Sequence, residues 1–258
     1  QASSAVTLFV MEANKEQEVR TLSISDGVDS ATLTSIRNGW KVELNVPGGE
    51  SENKQRLLEA SAQAIALNSG GRLEYWIEGA NDHSDQIPIA AGYSPCRDLW
   101  RLTRPLPIEQ SQLTTRPFEL EDLPSIISIN NRAFSWHPEQ SDQTRSDFEG
   151  TMNEPWFDSA GLRVLELEEN IIGFCWTKIH HDLNPKRGEI FVIAIDPDHQ
   201  GNGTGKQLTL SGLNWLQSNG ITEAMLYVES DNAAANHVYS SLGFQHELTN
   251  RAYERFIR

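Results

Sequence analysis

Between Ile190 and Phe244 the chain carries two short patterns whose residue types and spacing are suited to chemistry. The first, Gln200-Gly201-Asn202-Gly203-Thr204-Gly205, fits Q-x-x-G-x-G and follows the apolar run Ile190 to Ile195. Glycines let successive backbone N–H groups turn inward and approach an anion closely, and a helix N-terminus adds partial positive charge. Such a loop holds a phosphorylated ligand without a lysine cluster. Read alone, it is equally a plain strand–helix turn. It is not a nucleotide P-loop, because Gly-Lys-Ser/Thr is missing, and its spacing is not that of a dinucleotide-binding fingerprint. The second pattern runs from Asn232 to Phe244 and reads N-x-x-A-x-x-x-Y-x-x-x-G-F. The seven histidines and the two cysteines, Cys96 and Cys175, show no metal-ligand spacing, so no metal is expected.

These patterns need elements to position them. Ile190–Ile195 is too short and too β-branched for a helix, which predicts a central strand over Glu189–Asp196, buried on both faces. A helix is expected over 203–218, with Leu210, Leu213 and Leu216 in a row and Gly220 beyond its end. Met225–Val228 reads as a further strand and Ala233–Ser241 as a last helix before Gly243. Upstream, Glu121–Phe134 predicts a helix opening on acidic residues and Pro124, and 161–167 and 171–178 predict two strands. The fold class is mixed α/β.

A weaker copy of this order lies about 150 residues earlier. Trp40–Val46 precedes Pro47 as Phe191–Asp196 precedes Pro197, a helical stretch spans Lys54–Leu67, and Leu73–Ile77 matches Met225–Val228. Ala91-Gly92-Tyr93 matches Leu242-Gly243-Phe244. The two prolines and polar middle of Arg104–Arg116 mark a linker. Two tandem domains are therefore expected, 1–108 and 109–258, the first degenerate. At its loop it reads Pro47-Gly48-Gly49-Glu50-Ser51-Glu52-Asn53, with two carboxylates where an anion would sit. Gly39 is the expected counterpart of Glu189, and Pro88 of Tyr239.

Composition narrows the class. The formal charge is −15, with −4 in residues 1–108 and −11 beyond, and this argues against nucleic acid. Solubility is the plain reading of that charge; acidic groups meeting a cationic substrate are the other. No apolar run reaches the roughly 18 residues of a membrane span. Two distant cysteines fit a reducing, cytoplasmic setting, and a monomer is expected.

Together, in this order and at this spacing, the two patterns resemble the GCN5-related N-acetyltransferase (GNAT) superfamily. Further runs, among them Thr115–Phe134, His137-Pro138-Glu139-Gln140, Gly173–Lys178, Gly188-Glu189 and Leu226–Asn232, are similar to the mycothiol synthases, a tandem family within it. That resemblance implies acetyl-CoA as co-substrate and the cysteine amine of cysteinyl-glucosaminyl-inositol as acceptor. It places acetyl-CoA against Ile193, Ala194 and Ile195 on a strand that splays from its neighbour. The loop Gln200, Gly201, Asn202, Gly203, Thr204, Gly205 and Lys206 would hold the pyrophosphate, with Asn232, Ala233, Ala234, Ala235, Asn236 and His237 beside it. Substrate contacts map onto Glu139, Lys178, Glu189 and Tyr227. An acceptor amine must lose a proton before attack, which Glu189 would take; the leaving thiolate needs one, which Tyr239 would give. Another small amine as acceptor, or a non-catalytic acyl-CoA-binding module, stays open.

Overall fold

The computed structural model describes residues 7–11, 20–68, 70–136 and 142–258, in two compact units. The first takes the chain up to Trp100 with Glu229–Asp231 and Leu248–Arg258; the second takes Arg101–Val228 and Asn232–Glu247.

In the first unit β1 (Thr7–Met11), β2 (Thr21–Asp26), β3 (Asp29–Ile36) and β4 (Gly39–Asn45) form an antiparallel meander. Helix α1 (Ser51–Ala66) then leads to β5 (Gly71–Ile77), which runs parallel to β4. Helix α2 (Asp82–Ala90) and β6 (Ser94–Pro105) follow. The strands alternate: Leu22, Ile24, Ala31, Leu33, Trp40 and Val42 are buried, and they share one core with Leu57, Leu58, Ala62 and Ile65 of α1. Burying each large side chain of this set contributes about 1.5–3 kcal/mol. Ser23, Ser30, Thr32, Lys41 and Glu43 point to the other face, as period-2 alternation requires.

The second unit holds β7 (Arg116–Pro117), α3 (Leu123–Ala133), α4 (Arg145–Met152), β8 (Leu162–Leu167), β9 (Asn170–His180), β10 (Arg187–Ile195), α5 (Thr204–Ser218), β11 (Glu223–Glu229), α6 (Ala233–Ser241) and the start of β12 (Gln245–Ile257). Its sheet order is β11-β10-β9-β8-β7. Both faces are covered. Ile126 and Ile129 of α3 pack with Leu162, Phe174 and Trp176, while α5 buries Leu208, Leu210, Leu213 and Leu216. The helix predicted from Glu121 begins as a 3₁₀ turn, Leu120–Asp122, because Glu119 and Asp122 close a capping box ahead of Pro124.

The internal repeat extends further than the sequence pattern. The series β4-α1-β5-α2-β6 recurs as β10-α5-β11-α6-β12, and α2 and α6 are each nine residues long. Pro88 and Tyr239 both stand seventh, as expected. Gly39 does not match Glu189. In the three parallel pairs of each unit, Trp40–Leu73 to Val42–Tyr75 and Gly188–Ala224 to Ile190–Leu226, the middle residue is Lys41 in one and Glu189 in the other. The proline lies two residues further from Glu189 than from Lys41, and the bulge of β10 between Ile190 and Val192 supplies one of the two.

The division also departs from the expected 108/109 boundary. It falls inside β6 at Trp100, and the end of the chain joins the first unit, since Arg251–Ile257 pairs antiparallel with Gly71–Ile77 of β5. A linker composition reports local chain character, whereas this pairing joins residues about 180 apart.

Candidate active site

Strands β10 and β11 pair at three positions only, Gly188–Ala224, Glu189–Met225 and Ile190–Leu226. Beyond Ile190 no pairing joins them, while Val192–Ile195 stay paired to β9 as Trp176–Gly173. The bulge at Phe191 accounts for the parting, because an inserted residue bends the strand and raises its local twist. Ile193, Ala194 and Ile195 thus lie on the stretch of β10 that pairs with β9 but not with β11, where the sheet opens. One edge of their backbone is left for another chain of hydrogen-bonding groups.

That opening leads to the glycine loop. Gly201, Asn202 and Gly203 have φ of +94°, +52° and +79°, so three successive residues are left-handed. Two are glycine, which adopts this conformation freely, and asparagine is a residue type that tolerates it. Gly203 precedes α5 with no side-chain cap, whereas at α6 the Asn232 side chain accepts from Ala235 N. The N-terminus of α5 is therefore exposed backbone, and a Cβ at Gly201 or Gly203 would meet nothing within 4 Å. Lys206 lies in the first turn of α5, 3.9 Å from Glu109. Gln200 plays a local part: its Nε2 donates to Ile195 O at 3.1 Å and ties the loop to the strand end. Asp196 and Asp198, the carboxylates just upstream, accept from Arg132 of α3 at 2.5 and 2.8 Å. Arg132 offsets part of the negative charge of this pair.

Glu189 holds the second of the three pairs, one residue before the strands part, and is 6% exposed. A buried carboxylate needs a partner, and His180 supplies it: Nε2 lies 2.7 Å from Glu189 Oε2. Lys178, the register partner of Glu189 on β9, is held elsewhere, with Nζ 4.8 Å above the Trp156 ring and 5.8 Å from that of Phe191. Tyr227 is half-buried on β11 and bonds Arg101. Arg101 and Arg187 both hold Glu247, at 2.7 and 2.9 Å, and Arg187 also pairs with Glu223.

Tyr239 is buried in α6, edge-on to Phe244. Burial holds its hydroxyl well above the ordinary tyrosine range, and a Coulombic contribution from Cys175 adds to it. The Cys175 thiol, buried behind the sheet, is pushed up to about 12 by the same loss of solvent and stays a thiol. Asn232, Ala233, Ala234, Ala235, Asn236 and His237 form the N-cap and first turns of α6, directly after β11. Glu139 lies outside the described residues. Among the described residues no group of three or more His, Cys, Asp or Glu could hold a metal.

Three residues beside these were not singled out by the sequence patterns. His180 and Trp156 meet Glu189 and Lys178 only through strand register and the loop after α4. Arg101 sits on the far side of the expected domain boundary. Alternation could have found His180, which stands two residues from Lys178 and so on the same face.

Residues 123–244 match the model of the acetyltransferase (GNAT) family. A mycothiol acetyltransferase of Saccharopolyspora erythraea is 41% identical over 181 residues, 67% of this chain and 59% of that protein. One from Rhodococcus opacus is 36% identical over 220 residues, 80% of this chain and 72% of that protein. The matched stretch thus spans three-fifths to seven-tenths of these relatives. A tandem GNAT protein from the clavulanic acid biosynthesis pathway superposes with a TM-score of 0.67 at 13% identity, over 95% of this chain and 85% of that one, which shows a shared fold.

Proposed function

The chain belongs to the GNAT acetyltransferase family, in its mycothiol acetyltransferase branch, and from that premise we propose that it moves an acetyl group from acetyl-CoA to the cysteine amine of cysteinyl-glucosaminyl-inositol. The observation that carries this reading is the placing of one buried carboxylate, Glu189, where β10 and β11 part, with the uncapped N-terminus of α5 at the other end of β10. A thioester lying along the opening, its diphosphate on the loop, would bring its carbonyl toward Glu189 and its sulfur toward Tyr239.

The protons balance on these two residues. The acceptor arrives as an ammonium, since an α-amine has a pKa of about 7.7–8.0. Glu189 takes one proton, directly or through a water, and the freed lone pair forms the C–N bond. As the C–S bond breaks, Tyr239 gives its proton to the departing thiolate and is later reprotonated from solvent. The new amide nitrogen sheds its second proton. Net, ammonium and thioester become amide, thiol and one released proton. Lys178 and Tyr227 flank Glu189 on the same sheet face and would contact acceptor hydroxyls, with Glu139 completing the set.

We read the first unit as a structural copy. Three features support this: Lys41 at the position of Glu189, Pro88 at that of Tyr239, and the Glu50 carboxylate folded against Gly48 at the start of α1. A carboxylate there repels a diphosphate. The reading includes a monomer in a reducing cytoplasm, supported by two free cysteines, with no nucleic-acid partner at a net charge of −15. Among the described residues no helix is long and apolar enough to cross a membrane.

The test is CoA release from acetyl-CoA with cysteinyl-glucosaminyl-inositol and, separately, with simple amines such as cysteine methyl ester and glucosamine. The proposed acceptor should turn over with a kcat/KM at least about 100-fold above the others, some 2.7 kcal/mol of extra transition-state binding. Equal or faster turnover of a simple amine moves the assignment to another acceptor, and no release with any of them leaves only a binding module.

A further inference from the structure

The proposed base is not on its own in the sheet. Glu189 is 6% exposed, and a buried carboxylate needs a hydrogen-bonding partner in place of the water it loses. The cations around it are engaged. Arg187, two residues along β10, pairs with Glu223 and Glu247. Arg101 bonds Tyr227 and Glu247, and Lys178 lies over Trp156. His181, Asp182 and Lys186, in the turn between β9 and β10, are exposed. His180 is what remains: its Nε2 stands 2.7 Å from Glu189 Oε2, with 17% of the side chain exposed. Two backbone features fix this contact. Arg187 is the register partner of His180, and Lys178 of Glu189, so the contact runs diagonally across a tightly paired ladder ahead of the bulge.

We propose that His180 is the positioning residue of the base: its Nε2–H holds Glu189 Oε2 and turns the second oxygen, Oε1, toward the acceptor amine. The imidazole touches neither co-substrate; it acts through Glu189. This rests on the reading of Glu189 as base, and the test separates the two.

CoA release is followed under saturating acetyl-CoA for His180→Phe, His180→Gln, Glu189→Gln and the pair His180→Phe/Glu189→Gln. Phenylalanine keeps the ring and loses the donor, while a glutamine amide can restore an N–H at similar reach. The expected results are a kcat for His180→Phe lower by about 10–100-fold, up to the lower end of what a general base supplies. The KM for acetyl-CoA should be unchanged, and His180→Gln should recover most of the rate. The double variant should be no slower than Glu189→Gln alone, because a group that acts through Glu189 has nothing left to act on. Glu139→Gln, introduced as a further background, should leave the His180 effect at the same size.

A Glu189→Gln enzyme as fast as the parent overturns the base assignment itself. A slow Glu189→Gln together with a parent-like His180→Phe overturns the role of His180 alone. So do losses that multiply in the double variant, or a His180→Gln as slow as His180→Phe. If His180→Phe does not fold, His180→Ala, which also lacks the donor, replaces it on the two Glu189 backgrounds and decides by the same criterion.

Discussion

Glu189→Gln keeps the size and hydrogen bonding of the side chain and removes its capacity for a proton. Turnover should fall by roughly 10²–10⁴-fold at pH 7, with acetyl-CoA affinity unchanged. The loss should shrink as pH rises past the acceptor's own pKa of about 8, where free amine accumulates and the base has less to do. Tyr239→Phe should also slow turnover, without that rescue, because it removes the proton proposed for the leaving sulfur. Since burial holds the Tyr239 hydroxyl well above its ordinary value of 10.0, kcat in the parent should show no fall assignable to tyrosine ionisation between pH 7 and 10. A stopped assay of free thiol across that range reads both effects; a basic limb near pH 9 that Tyr239→Phe abolishes would assign tyrosine an ordinary pKa and contradict its burial. At this scale the proposed site was legible where the motifs set a residue type at a fixed spacing, as for the loop glycines and Tyr239. His180 was not, because its meaning lies in an antiparallel register that no local pattern records. Gln200 fits its motif, yet its side chain holds the strand end.

A strand of six consecutive apolar residues predicts burial on both faces, and β10 is flanked by α3 and α5 as that requires. Where it parts from β11 is set by the bulge at Phe191, which composition does not announce. The loop that follows depends on backbone alone, which gives its prediction. Gly203→Asp asks an L-residue to adopt φ of +79°, at a cost of about 1–2 kcal/mol, with nothing within 4 Å for the new side chain to strike. The protein should stay folded, and circular dichroism should show it. A carboxylate at the N-terminus of α5 repels a diphosphate and blocks its close approach, so calorimetry should record at least a 100-fold weaker binding of acetyl-CoA. Gly49→Asp, in the matching loop before α1, should leave affinity unchanged, because Glu50 already folds its own carboxylate onto that loop. An unchanged affinity in folded Gly203→Asp would remove the loop from the binding site.

At the scale of the whole chain, the tandem order was readable as a repeat, while the partition was not. The first unit is completed by the end of the chain: Tyr253 of β12 is fully buried, its hydroxyl donating to Asp85 at 2.5 Å, and Arg251 bonds Asp85 and Asp98. A composition scan finds the linker at Arg104–Arg116, but pairings between residues about 180 apart decide where a unit closes. This partition yields a thermodynamic expectation. If acetyl-CoA binds the second unit alone, a concentration 100 times its Kd stabilises that unit by about 2.7 kcal/mol and leaves the first where it was. Scanning calorimetry should then show one component of the melting profile moving up by several degrees with acetyl-CoA. Tyr253→Ala removes a buried aromatic and leaves Asp85 without that donor, a loss of about 3–5 kcal/mol. It should lower the component that acetyl-CoA does not move, while the other keeps its ligand-induced shift. Both components rising together with acetyl-CoA would mean that the first unit binds it too, in spite of Glu50. A single transition that Tyr253→Ala lowers as a whole would mean that the two units melt as one.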